Sequence, residues 1–99
     1  MAKSPLEFLE KNDPDLDKTR KGVYDLAFSE GALPVKMKAL IAMALDAELG
    51  SEGGVRALAQ TAIKNGATKK EVLEAIRVAY YMCGVGVLYT ASRGLEGVI

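Results

Sequence analysis

The side chains of this chain that could do chemistry are one thiol, thirteen carboxylates and four phenols. Cys83 is the single cysteine, and the sequence contains no histidine. A thiol nucleophile needs a base or a cation to activate it. Cys83 instead continues an apolar helical stripe and precedes Gly84, so we expect a small buried side chain. A reactive thiol at Cys83 is kept as the alternative.

General acid–base chemistry would depend on carboxylates and tyrosine hydroxyls. Asp46 and Glu48 lie in the last turn of an apolar helix, where the helix dipole disfavours carboxylates. We interpret them as partners of Lys or Arg across a subunit interface, with a polar pocket beside Ser51 as the alternative. Tyr80 and Tyr81 are adjacent on a helix and point about 100° apart. One of the two is expected to pack inside the bundle, while the other meets a partner subunit or a cavity.

Metal, cofactor and phosphate sites are not predicted. A chain with one cysteine and no histidine lacks the ligand-rich spacing of a metal centre, and its carboxylates are scattered over separate helix faces. Phosphate-binding loops and nucleophile-elbow motifs are also absent from the sequence. We therefore expect no cofactor and no metal.

Two helices at the centre of the chain must position any such groups. The first has Pro34 in its first turn, is apolar on nearly all sides and stops at Gly50. It is therefore predicted to be a central helix covered by its own subunit and by a neighbour. The second begins at Ser51, whose hydroxyl is expected to cap it, and ends at Asn65 before Gly66. Its apolar residues follow one stripe, which predicts an amphipathic helix.

Helix start signals recur along the rest of the chain, each combining a capping side chain with proline or an acidic first turn. They are Ser4 with Pro5 and Glu7, Asp13 with Pro14, and Thr68 with Glu71. A final helix is predicted from about Val87, weakened by Gly94 and Gly97. No alternating strand pattern and no internal repeat is present. The sequence predicts one all-α domain, residues 1–99, built as a compact bundle of about five or six helices.

The segment 31–85 resembles the core of the carboxymuconolactone decarboxylase family, which includes the alkylhydroperoxidase D-like proteins. Its most specific part is the spacing from the apolar helix through the turn to NGATKKEV. Redox-active members similar to this segment carry a Glu early on the first helix, a Cys-x-x-Cys opening the second and a His one turn later. In this chain those positions hold Ala39, Ser51, Gly54 and Leu58. The resemblance implies an alkylhydroperoxidase D-like bundle without the redox groups.

Length and composition predict the oligomeric state, the partners and the location of the domain. A chain of 99 residues with 49% apolar and 26% charged residues is typical of a globular protein. An apolar central helix in so short a chain favours a homo-oligomer, and the resemblance implies trimers or hexamers. Thirteen basic and thirteen acidic residues cancel, so no nucleic-acid or membrane partner is expected. Apolar runs too short to span a bilayer and the absence of a secretory signal favour a cytoplasmic protein.

Three functions remain open from the sequence. The first is a non-redox oligomeric family member that binds a small apolar or aromatic acid, or merely assembles. Its expected ligand contacts are Ser51, Gly54, Leu58, Tyr80 and Tyr81. The second is a decarboxylase or lactone-transforming enzyme that uses Glu48 with Tyr hydroxyls. The third is an antioxidant, peroxidase-like role through Cys83.

Overall fold

The computed structural model describes residues 5–99 and folds them into α-helices connected by short turns. The helices are α1 Glu7–Asn12, α2 Pro14–Phe28, α3 Val35–Leu49, α4 Glu52–Lys64, α5 Lys69–Cys83 and α6 Gly86–Leu95. Six helices and no strand in this range confirm the predicted all-α class. Among the same residues, no helix has the length and apolar character needed to cross a membrane.

The core lies where α3 packs against α4, α5 and α6. Its largest fully buried side chains are Met43, Val55, Val72 and Val87, one from each of these four helices. Much of the remaining core is alanine, which lets the helix backbones approach closely. Leu45, on the other side of α3, is exposed, so the subunit itself covers only one side of this helix. Cover of that side by a neighbouring subunit stays a prediction.

Helix start and stop signals are confirmed at most of the predicted points. The Asp13 carboxylate accepts a hydrogen bond from a backbone N–H in the first turn of α2. Thr68 and Glu71 form a reciprocal capping box at the start of α5. Gly50 ends α3 in the left-handed conformation, with φ of 80°. Pro34 precedes α3 as its N-cap, one residue earlier than predicted. Ser4, part of the first start signal, lies outside the described residues.

Gly94 is a packing residue, a role that the sequence did not predict beside its low helix propensity. A Cβ atom at Gly94 would lie 2.8 Å from the Cβ of Val55 and 2.9 Å from the backbone oxygen of Glu52. Such distances are below van der Waals contact, so only glycine lets α6 approach the first turn of α4 this closely. Close packing of the two helices offsets the low helix propensity of glycine.

Helix α2 lies at the edge of the bundle and adds little to the core. Within α2, Asp17 is the one buried residue, and it pairs with Arg20 at 2.8 Å and with Lys21 at 3.2 Å. The apolar side chains of Val23 and Leu26 are 63% and 80% exposed. Both ion pairs lie within α2, and Phe28 at its end is the α2 side chain that packs against the core.

Candidate functional site

The candidate site lies at the start of α4, in the turn that follows α3. Ser51 occupies the N-cap position of α4, but its hydroxyl makes no capping hydrogen bond, so the predicted cap is wrong. Its backbone N–H donates instead to the carbonyl oxygen of Asp46 at 2.9 Å. The tight turn at Gly50 brings Ser51 back against the end of α3, and the hydroxyl is turned toward Gly54.

The space above Gly54, where a side chain at this position would lie, is occupied by polar groups of Asp46 and Ser51. A Cβ atom built on Gly54 would overlap the Oδ2 atom of Asp46 and would lie 2.7 Å from its Cγ atom. The Oγ atom of Ser51 is 2.8 Å from the same point. A side chain at position 54 would therefore extend into a carboxylate and a hydroxyl that are already there.

The location of Asp46 explains why a carboxylate lies near the end of an apolar helix. Its side chain reaches the first turn of α4, where the positive end of that helix dipole favours an anion. This is the polar pocket beside Ser51 that the sequence left as the alternative. Glu48, two residues further along α3, is exposed.

The other two positions that the resemblance singles out lie in the core or against it. Ala39 is fully buried in α3, and Leu58 is half-buried and packs against the core cluster. Both side chains are hydrocarbon, so neither can carry a proton. The structure places Ser51, Gly54 and Asp46 together at the start of α4.

The carboxyl end of α5 projects beyond the core and carries the remaining predicted residues. Tyr80, Tyr81 and Cys83 are all exposed, so the predictions of a buried Cys83 and of one tyrosine packed inside are both wrong. The apolar stripe of α5 does continue to Cys83, but burial stops at Ala79 because no other helix covers the last turn. The spacing of apolar residues identifies which side of a helix faces the core. It does not show where along the helix the covering helices end.

Four cavities among the described residues lie away from this site. None of the four is lined by Ser51, Gly54 or Leu58. One, of about 430 Å³, is an apolar groove between α3 and α5 with Glu71 and Glu74 at its edge. Another, of about 470 Å³, lies between α5 and α6. Residues 5–99 also contain no group of three or more acidic or cysteine side chains placed to hold a metal ion.

Glu71 joins the capping box of α5 to the groove between α3 and α5. A hydrogen bond from the backbone N–H of Thr68 lowers the pKa of its carboxyl, and the Lys36 ammonium, 3.0 Å from Glu71 Oε2, lowers it further. The carboxylate is therefore held ionised while it ties the start of α5 to α3.

Comparison with known proteins agrees with this arrangement of helices. Residues 14–96 match the model of the carboxymuconolactone decarboxylase family. The chain belongs to this family. The helices also superpose on two carboxymuconolactone decarboxylase family crystal structures, and no curated protein matches the sequence.

The first of these relatives is a carboxymuconolactone decarboxylase family protein from Legionella pneumophila, solved in its apo form. It is 36% identical, with a TM-score of 0.86 over 92% of this chain and 81% of that one. The second, from Burkholderia xenovorans LB400, bears the name carboxymuconolactone decarboxylase and shares the fold. It is 19% identical, with a TM-score of 0.85 over 98% of this chain and 80% of that one.

Within this carboxymuconolactone decarboxylase fold, sequence reasoning missed the role of Asp46 as the group that fills the space above Gly54. A signal was present, because a carboxylate in the last turn of a helix opposes the dipole and requires a compensating neighbour. The contact between Gly94 and Val55 had no comparable signal. Glycine spacing alone does not tell which helix a glycine faces.

Proposed function

We propose that this chain is a non-redox member of the carboxymuconolactone decarboxylase family whose role is subunit assembly. The observation that supports it most is the occupied space above Gly54, where the carboxylate of Asp46 and the hydroxyl of Ser51 meet. Disulfide exchange requires two thiols in contact and a base to move the proton. The start of α4 instead holds a serine, a glycine and a carboxylate from α3.

Exposed apolar side chains support assembly as the role. Ile41 on α3 is 46% exposed and Val78 on α5 is 66% exposed, and both line the groove between these helices. Met82 extends the apolar surface along α5. Contiguous apolar surface of this kind marks protein interfaces, since a monomer gains by covering it.

The molecular mass in solution tests this proposal. We expect sedimentation equilibrium to give a defined multiple of the 10.5 kDa subunit, a trimer or a hexamer. Val78→Glu should lower the mass, because a charge would be buried in the contact. Ala57→Glu, on the exposed side of α4, is the matched control and should leave the mass unchanged. A wild-type monomer at every concentration would contradict assembly.

Binding of a small apolar or aromatic acid is the second candidate function, favoured by the cavity between α5 and α6. Leu73 and Leu88 line this cavity, and Lys69 lies at its edge. Apolar walls would cover a ring while the ammonium pairs with the carboxylate. Glu96 on the same edge limits where an anion fits, so the carboxylate would face Lys69.

Calorimetric titration with benzoate tests the second candidate. Binding should be saturable in the wild type and weakened in Lys69→Gln, because the charge partner of the carboxylate is lost. Lys64→Gln removes an exposed cation from α4 and should bind benzoate as the wild type does. Absence of saturable heat in the wild type would remove this candidate.

Two catalytic alternatives remain with less support. A decarboxylase or lactone-transforming activity would need Glu48 and a hydroxyl of Tyr80 or Tyr81, and all three side chains are exposed. A lactone or keto acid consumed by the wild type but not by Glu48→Gln would favour it. An antioxidant role would need Cys83, which lies at the carboxyl end of α5, where the helix dipole does not favour a thiolate.

A further inference from the structure

Two charged side chains at the cavity between α5 and α6 oppose the dipoles of their own helices. Lys69 is the first residue of α5, and Glu96 follows the last residue of α6. The amino end of a helix favours an anion and the carboxyl end favours a cation. An ammonium at the first place and a carboxylate at the second are therefore both unfavourable unless an opposite charge compensates them. Asp46, a carboxylate placed in the same way on α3, reaches the start of α4.

Neither Lys69 nor Glu96 finds such compensation within the subunit. None of the ion pairs in residues 5–99 includes either side chain. The cations near Glu96 are engaged elsewhere. Arg93 lies 3.4 Å from the carboxylate of Glu52, and Arg56 donates a hydrogen bond of 2.6 Å to the backbone oxygen of Glu96. The two charges are therefore available to a ligand.

The cavity is charged at one end and apolar over the rest of its length. Helices α5 and α6 pack against each other and are joined by only residues 84–85, so they run in opposite directions. The start of α5 and the end of α6 consequently lie at the same end of the cavity. Further along, its lining is Leu73, Ile76 and Leu88, and the first and last of these are 39% and 37% exposed. This division fits a ligand with a charged head and an apolar body.

An assembly through the groove between α3 and α5 would leave this cavity uncovered. Leu73 and Ile76 of α5 line the cavity, whereas Ala75 and Val78 line the groove. At about 100° per residue the two sets lie roughly 160° apart around α5. The cavity volume is about 470 Å³, and ligand pockets typically measure roughly 300 to 1,000 Å³.

We propose that the cavity between α5 and α6 binds a free α-amino acid with an apolar or aromatic side chain. Its carboxylate pairs with Lys69, its ammonium pairs with Glu96, and its side chain lies against Leu73 and Leu88. This inference rests on the second candidate function and deepens it, because it gives Glu96 a partner that a simple acid lacks. A peptide does not fit, since a peptide bond removes one of the two adjacent charges.

Titration of the isotope-labelled protein with L-phenylalanine, followed by NMR, tests the proposal. We expect saturable shifts at the backbone amides of the lining residues. Binding should be at least about fivefold tighter than for N-acetylphenylalanine or phenylalaninamide, each of which lacks one of the two charges.

One substitution separates the two charges. Glu96→Gln should weaken phenylalanine binding about fivefold and should not weaken N-acetylphenylalanine, because only the ammonium loses its partner. Glu74→Gln is the matched control, since it removes an exposed carboxylate from the opposite side of α5, and it should bind phenylalanine as the wild type does. The three ligands compared on the wild type decide the question even if Glu96→Gln fails to fold.

The outcomes separate this inference from simple acid binding. Phenylalanine bound no tighter than N-acetylphenylalanine, or bound equally by Glu96→Gln and the wild type, would overturn the inference while benzoate binding stands. The expected ligand order without benzoate binding would support the inference and remove only the simple acid. Shifts confined to residues outside α5 and α6 would overturn the site. Absence of saturable shifts with both phenylalanine and benzoate would overturn both proposals and leave assembly untouched.

Discussion

The starts of α4 and α5 are fixed in different ways. At α5, Thr68 accepts a hydrogen bond from the backbone of Glu71, and Glu71 accepts one from the backbone of Thr68. At α4, Ser51 makes no such bond. The first turn of α4 is instead enclosed by Gly94 of α6 and by the carboxylate of Asp46 from α3.

This difference separates local from tertiary control of a helix start. The start of α5 depends on residues three positions apart, so a change there has a local effect. The start of α4 depends on two other helices, so its side chains are free of a capping role. Ser51 and Gly54, where the resemblance places the Cys-x-x-Cys of redox-active members, lie at this second start.

The largest expected effect of a single substitution is at Gly94. Gly94→Ala should destabilise the protein by about 1 to 3 kcal/mol, because the new methyl group meets Val55 and the backbone oxygen of Glu52. Urea unfolding measures the loss. Gly22→Ala is the control, since nothing lies within 4 Å of that helical glycine, and it should gain up to about 1 kcal/mol. Equal stability of Gly94→Ala and the wild type would contradict the close contact between α6 and α4.

Removal of the hydroxyl at each helix start sharpens the comparison. Thr68→Ala should cost about 1 kcal/mol, since it breaks the capping box. Ser51→Ala should cost less than about 0.5 kcal/mol, because that hydroxyl caps nothing. Thermal unfolding of the two variants side by side gives the difference. Similar losses would mean that Ser51 does cap α4.

A double-mutant cycle tests the occupied space above Gly54. Gly54→Ala alone should cost less than about 1 kcal/mol, because the Asp46 carboxylate is the end of a side chain that can rotate away. In an Asp46→Ala,Ser51→Ala background, which removes both groups, the same substitution should become stabilising by up to about 1 kcal/mol, the helix preference of Ala over Gly. An identical effect in both backgrounds would show that Asp46 and Ser51 do not occupy this space.

The smallest expected effect is on the pH dependence of stability. The pKa of Glu71 is lowered in the folded state, chiefly by the backbone N–H of Thr68, and the pKa of Asp17 is lowered by Arg20. Both contributions are complete above the unfolded pKa, about 4 for a carboxyl group, and are lost as the pH falls through the lowered folded values. Urea midpoints measured down to about pH 3 should fall less steeply for Glu71→Gln than for the wild type. A slope unchanged by Glu71→Gln would contradict the capping role of that carboxylate.

Much of the fold follows from local signals in the sequence. Asp13 and Thr68 mark helix starts, and Gly50 marks a stop, because each acts on backbone groups within four residues. The all-α class and the core side of α5 follow from the spacing of apolar residues.

The wrong predictions concern contacts between helices and not local signals. The missed exposure of Cys83, the absent cap at Ser51 and the packing role of Gly94 all depend on where one helix meets or fails to meet another. Such contacts join residues far apart in the chain, and no spacing within one helix reports them. The candidate site lies among these contacts, which is why its residues were identified while their arrangement was not.

Hydroperoxide consumption by the purified protein tests most directly whether the start of α4 retains redox chemistry. We expect the wild type to consume hydroperoxide no faster than Cys83→Ser, which has no thiol at all, and no faster than buffer. Sustained turnover by the wild type in the presence of a dithiol reductant, lost in Cys83→Ser, would contradict the account and assign the chemistry to the carboxyl end of α5.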